Sequence, residues 1–142
     1  MLVFTTNDKR TIDVGSDRVW RSILYTMRKH IKDYKNNLQM ADRFLCTGSC
    51  KSECAQETAR QINLLRDAFS SIRPNLAVFD ELDSSKKPPW GDIISPVTTS
   101  CANLYLTSDG KDLLFEMVSI LTYASVIGVD VVADGLFTVY DV

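Results

Sequence analysis

Four thiols and one imidazole are the side chains in this sequence best suited to covalent or metal chemistry. Cys46, Cys50 and Cys54 recur at four-residue intervals, and Cys101 is the fourth cysteine. Thiolates bind zinc tetrahedrally, and on a continuous helix Cys50 and Cys54 would share one face. Structural zinc sites, however, draw on two separated pairs of closely spaced cysteines. Here three lie in one run and the fourth stands alone, so the spacing predicts small, buried or half-buried cysteines rather than metal ligands. His30 is the only histidine and would have to activate any serine or cysteine nucleophile. It falls beside Met27, Ile31 and Tyr34 at the edge of an apolar stripe, where packing is the simpler role. Asp80, Glu81, Asp83 and Asp92 offer carboxylates for acid/base work, but nothing in the sequence sets the distance between any two of them. The glycines are scattered and form neither the dinucleotide-binding nor the P-loop pattern. No catalytic residue, metal ligand or cofactor is therefore expected.

The elements that would position these groups follow from hydrophobic periodicity. Leu2 to Thr5 and Thr11 to Val14 are β-prone runs around a polar turn and predict a hairpin. Ser16 or Asp17 can cap a following helix in which Trp20, Ile23, Leu24, Met27, Ile31, Tyr34 and Leu38 recur at helical spacing. Thr47-Gly48-Ser49 marks a break before a second helix with Ala55, Ala59, Ile62, Leu65, Phe69 and Ile72 on its buried stripe, closed by Pro74. Leu76 to Phe79 reads as a strand leading into a polar, proline-bearing loop from Asp80 to about Thr99. Thr107-Ser108-Asp109 is the expected cap of a third helix bearing Leu113, Leu114, Met117, Leu121 and Ala124, with Gly128 at its left-handed end. Val129 to Ala133 and Phe137 to Val142 read as strands, with Asp134-Gly135 either a turn between them or part of an irregular tail. The order predicts one α+β domain over residues 1–142, with three main helices packed on one face of a small, mostly antiparallel sheet.

The chain's 142 residues, 45% of them hydrophobic and 24% charged, are enough to bury a core without disulfide or metal staples. The longest apolar run, within Leu113 to Ile127, is interrupted by Glu116, Ser119, Thr122 and Ser125 and is too short to span a membrane. The N-terminus lacks the basic start and apolar middle of a secretory signal, so the cytoplasm is the expected compartment. The net charge of −2 conceals a split: residues 1–75 hold 13 basic and 8 acidic side chains, residues 76–142 hold 3 basic and 10 acidic. Such asymmetry either reflects solvated charges or bears on partner choice, an acidic face suiting a basic partner. The first helix carries Arg18, Arg21, Arg28, Lys29, Lys32 and Lys35 outward. Its aromatics Trp20, Tyr25 and Tyr34 lie on or near the core stripe instead of forming a stacking platform, so direct nucleic-acid binding is not expected.

Two stretches carry a family resemblance. Lys87-Pro88-Pro89-Trp90-Gly91-Asp92-Ile93-Ile94-Ser95-Pro96 and Asn103-Leu104-Tyr105-Leu106-Thr107-Ser108-Asp109-Gly110-Lys111-Asp112-Leu113 resemble a family of bacterial immunity proteins that accompany polymorphic toxins, including those of contact-dependent growth inhibition. Together with the upstream helix and Leu76 to Asp80, the resemblance covers about two thirds of the chain, from about Ala55 onward. It implies a binding protein without catalysis that occludes the active site of a cognate toxin domain, which could be a nuclease.

Because domains that cleave nucleic acids tend to be basic, the resemblance points to Asp80, Glu81, Asp83, Trp90 and Asp92 as the toxin-binding surface. Two prolines stiffen the approach to Trp90, whose indole either anchors the loop on the core or serves as an interface hot spot. Thr107 to Leu113 is read as a helix cap. The rival readings are a small zinc- or thiol-dependent enzyme using Cys46, Cys50 and Cys54, and a general protein-binding adaptor.

Overall fold

A computed structural model describes residues 2–6, 10–79 and 98–134. β1 (Leu2–Thr6) and β2 (Thr11–Gly15) form the expected hairpin, followed by α1 (Asp17–His30), α2 (Tyr34–Asn37) and α3 (Gln39–Thr47). β3 (Ser49–Cys50) leads into α4 (Ser52–Phe69), and α5 (Leu113–Ile127) precedes β4 (Val131–Asp134). The strands make one antiparallel sheet in the order β2-β1-β4-β3, so the last described strand inserts beside the first. The fold is α+β, as expected, with a four-stranded open sheet among the described residues.

Alternation along β1 orients the sheet. Leu2, Phe4 and Thr6 are buried, while Val3 and Thr5 between them are only half-buried. Ile12 opposite Phe4 and Val131 opposite Thr6 share the buried face; Val132 opposite Thr5 lies on the other face and is exposed. On the inner face Phe4 packs against Trp20 of α1 and Phe44 of α3, with ring centroids 4.5 and 5.5 Å away. Trp20 meets Phe44 edge-on at 5.3 Å, and its indole N–H donates to the Leu45 carbonyl at 2.9 Å. The hydrogen bond satisfies the one polar atom of a fully buried ring, which lets the indole serve as core.

The long first helix expected from Ser16 to Leu38 is broken. α1 stops at His30, Ile31 adopts an extended conformation, and the chain re-enters helix as α2 and then α3. A continuous helix over those residues would be about 34 Å long and would carry Leu38 past the edge of the core. The reversal instead lays α3 beside α1, where Leu38 is buried and Leu45 reaches Trp20. Periodicity cannot detect the break, because Ile31, Tyr34 and Leu38 stay in contact with the core on both sides of it. α3 also has no side-chain cap from its own sequence. Gln61 of α4 supplies one from outside, its Oε1 accepting from the N–H groups of Met40 at 2.8 Å and Ala41 at 3.0 Å.

Two further expectations are corrected. Leu76 to Phe79 is not a strand: Pro74–Leu76 forms a 3-10 turn, and the Val78 N–H donates to the Thr26 hydroxyl at 2.9 Å instead of to a strand neighbour. The cap of α5 is Asp112, not Thr107 to Asp109; its Oδ1 accepts from the Phe115 N–H at 3.1 Å. Gly128 ends α5 in the left-handed region (φ +82°), as the sequence indicated. The strand expected at Phe137 to Val142, the turn at Gly135 and the loop from Asp80 to Val97 lie outside the described residues. No helix among the described residues is long and apolar enough to cross a membrane.

Candidate partner-binding surface

The five residues expected to contact a partner, Asp80, Glu81, Asp83, Trp90 and Asp92, lie outside the described residues, but both flanks of their segment are described. The flanks are tied to one another. The Cys101 N–H donates to the Ile72 carbonyl at 2.9 Å, and its thiol lies 3.4 Å from the Arg73 carbonyl. Tyr105 is fully buried, its ring between those of Phe69 and Phe79 with centroids 6.2 and 6.4 Å away. Its hydroxyl is hydrogen-bonded to Ser22 at 2.9 Å and Thr26 at 3.0 Å, and Thr26 in turn holds Val78. Burial pushes the Tyr105 phenol above its ordinary pKa, so it stays a neutral hydrogen-bonding group. His30, at the C-terminal end of α1, donates from Nε2 to the Leu76 carbonyl at 2.9 Å. That is a packing role.

The Thr-Ser-Asp-Gly-Lys-Asp-Leu stretch is a turn that docks α5 against the sheet. Thr107 donates its backbone N–H to the Lys111 carbonyl and accepts the Lys111 N–H on its side chain, at 2.8 and 2.9 Å. Gly110 takes φ +85°, a conformation that excludes most side chains. Ser108 N–H donates to the Asp13 carbonyl at 2.9 Å, covering part of the open edge of β2. The Thr107 hydroxyl donates to Asp109 and holds that carboxyl below its ordinary pKa, with Lys111 adding a weaker attraction. Asp112, partly exposed, caps α5 and pairs with Arg66 at 3.2 Å.

The cysteines do not converge. Cys46 lies on α3, Cys50 in β3 and Cys54 on α4, so the shared helical face expected for Cys50 and Cys54 does not exist. Cys50 is buried with its thiol 3.5 Å from the Thr58 hydroxyl, and burial raises its pKa. Cys101 is fully buried and its thiol is pushed up to about 12 by the same cause. Among the described residues, no group of three or more histidine, cysteine, aspartate or glutamate side chains is placed to hold a metal ion.

Cys46 has a different environment. Arg28 of α1 reaches α3 and grips Asp42 with two hydrogen bonds, Nε to Oδ2 at 3.0 Å and Nη2 to Oδ1 at 2.9 Å, while Nη2 also lies 3.2 Å from Cys46 Sγ. The bond to Asp42 raises the Arg28 pKa further, so the guanidinium keeps its charge. This cluster forms one wall of an open cavity of about 590 Å³ that Tyr34, Lys35 and Arg43 also line. Helical spacing along the chain puts Arg28 and Lys35 on one outward face, whereas Arg43 and the Asp42 pairing carry no local signal, since both depend on the chain reversal after His30.

Residues 6–132 match the family model described as Immunity protein 70. The match begins in β1 and so takes in the N-terminal third, which the resemblance read from the sequence did not reach. No curated protein and no solved structure matches the chain.

Proposed function

The chain belongs to the Immunity protein 70 family, and from that membership we propose that it is a single-domain cytoplasmic protein that binds a cognate bacterial toxin domain and neutralises it. The observation that carries this reading is the family match, which extends over nearly the whole described fold. The toxin is one of the polymorphic class, including those delivered in contact-dependent growth inhibition, and a nuclease is the activity that best suits an acidic partner. Protection works by occlusion, without catalysis or a cofactor, and neither nucleic acid nor membrane is bound directly.

The contact surface is the acidic segment bearing Asp80, Glu81, Asp83 and Asp92 with Trp90 among them. The anchored flanks support this choice. Ile72, Val78, Cys101 and Tyr105 bring the two ends of the segment to one place on the core, and a segment with fixed ends loses less entropy on binding than a free one. Co-expression with the toxin domain encoded in the adjacent reading frame tests the assignment. Growth should be restored with that toxin and not with an unrelated one, because mismatched charges and unpaired buried groups penalise a wrong partner. Failure to bind or protect against the adjacent toxin removes the assignment and leaves the adaptor reading.

A further inference from the structure

We infer that the open cavity between α1 and α3 is a second contact point for the toxin domain, one that accepts carboxylate side chains. The inference rests on the toxin-binding reading and adds a site of opposite charge to the acidic segment. Its wall is preorganised: Arg28 and Asp42 neutralise each other in a two-point pair that fixes both side chains, each only about a fifth exposed. Lys35 and Arg43 also line the cavity, are exposed, and have no carboxylate partner among the described residues. The cavity therefore carries two uncompensated positive charges. Its volume of about 590 Å³ is ample for one or two acidic side chains.

The surrounding charge selects the class of partner. A nucleic acid is drawn by a field extended over many phosphates, whereas the cavity offers two exposed cations, Lys35 and Arg43, on a chain whose net charge is −2. Tyr34, which lines the cavity, is partly buried against the core, and a single aromatic ring does not make the row of stacking platforms that successive bases need. A localised positive site on an acidic molecule instead fits a protein surface of mixed charge, whose carboxylates meet Lys35 and Arg43 while its basic groups meet the acidic segment.

The test compares association of the wild-type chain, K35E/R43E and K35A/R43A with the adjacent toxin domain at low and high salt. Both double variants should associate more slowly at low salt, the charge reversal on the order of tenfold, with a shallower salt dependence and an unchanged melting temperature. Because the alanine pair puts no new negative charge beside Asp42, its effect must have the same sign as that of the charge reversal, or the inference fails. Equal rates for wild type and K35E/R43E overturn it while leaving the toxin-binding reading intact. No binding by the wild type defeats that reading, and this one with it. A labelled single-stranded RNA that binds the wild type and not K35E/R43E would assign the cavity to nucleic acid instead.

Discussion

The phenol oxygen of Tyr105 lies 3.0 Å from the hydroxyl of Thr26, 79 residues away in sequence, and joins α1 to the segment that follows the acidic stretch in the chain. Thr26 also accepts the Val78 N–H from the segment leading into that stretch, so one side chain of α1 holds both flanks. Tyr105→Phe removes the phenol and leaves the ring packing intact. We expect a loss of about 1 to 2 kcal/mol, read as a lower urea midpoint at constant m-value. An unchanged midpoint would show that the hydroxyl cluster contributes nothing net.

Gln61 caps a helix to which it does not belong. Replacing it with leucine, of similar volume, removes the acceptor of two backbone N–H groups at the start of α3. A cost of about 1 to 3 kcal/mol is expected, the scale of an unsatisfied buried donor. Amide exchange at Met40 and Ala41 should accelerate in the variant; protection equal to that of the wild type would mean that water or another group caps α3 equally well.

Alkaline pH should destabilise the fold through Cys101. Burial lifts its thiol from the ordinary 9.0 to about 12. Below pH 9 the thiol is protonated whether the chain is folded or unfolded. Between pH 9 and 12 the unfolded chain gives up the proton and the folded chain keeps it, so stability falls as pH rises through that window. Cys50 and Tyr105 are shifted in the same direction and add to the decline. The melting temperature of Cys101→Ala should fall less steeply with pH in this range; a slope equal to that of the wild type would assign the decline to the other groups.

The thiols are expected to hold no metal. Cys46 is engaged by Arg28, and Cys50 and Cys101 are buried in separate places. Protein purified under reducing conditions should contain no stoichiometric zinc, and a chelator should leave its melting temperature unchanged. One zinc per chain, lost together with stability, would bring back the zinc- or thiol-enzyme reading.

Asp80, Glu81, Asp83 and Asp92 changed together to their amides should slow association with the adjacent toxin domain and weaken its salt dependence, with the fold unchanged. Trp90→Ala separates the two roles open to the indole. A stability loss of about 3 kcal/mol would mark it as core, and an unaltered denaturant midpoint with weaker binding would mark it as an interface anchor. Unaltered toxin binding by the fourfold amide variant would move the contact surface elsewhere.

The apolar period was enough to identify the N-terminal hairpin, the buried stripes of α1, α4 and α5, and the end of α5 at Gly128, because each depends on residues within a few positions of one another. The α+β class followed from their order. Local pattern could not locate the break after His30, the cap at Asp112 or the non-strand course of Ala77 and Val78. In each case distant groups determine the local conformation: Trp20 requires Leu45 beside it, Arg66 holds Asp112, and Thr26 takes the Val78 N–H that a neighbouring strand would have taken. The cationic cavity has the same origin. Arg28, Asp42 and Arg43 share a site only because the chain doubles back between α1 and α3, and no spacing along a single helix encodes a contact made by folding two helices together.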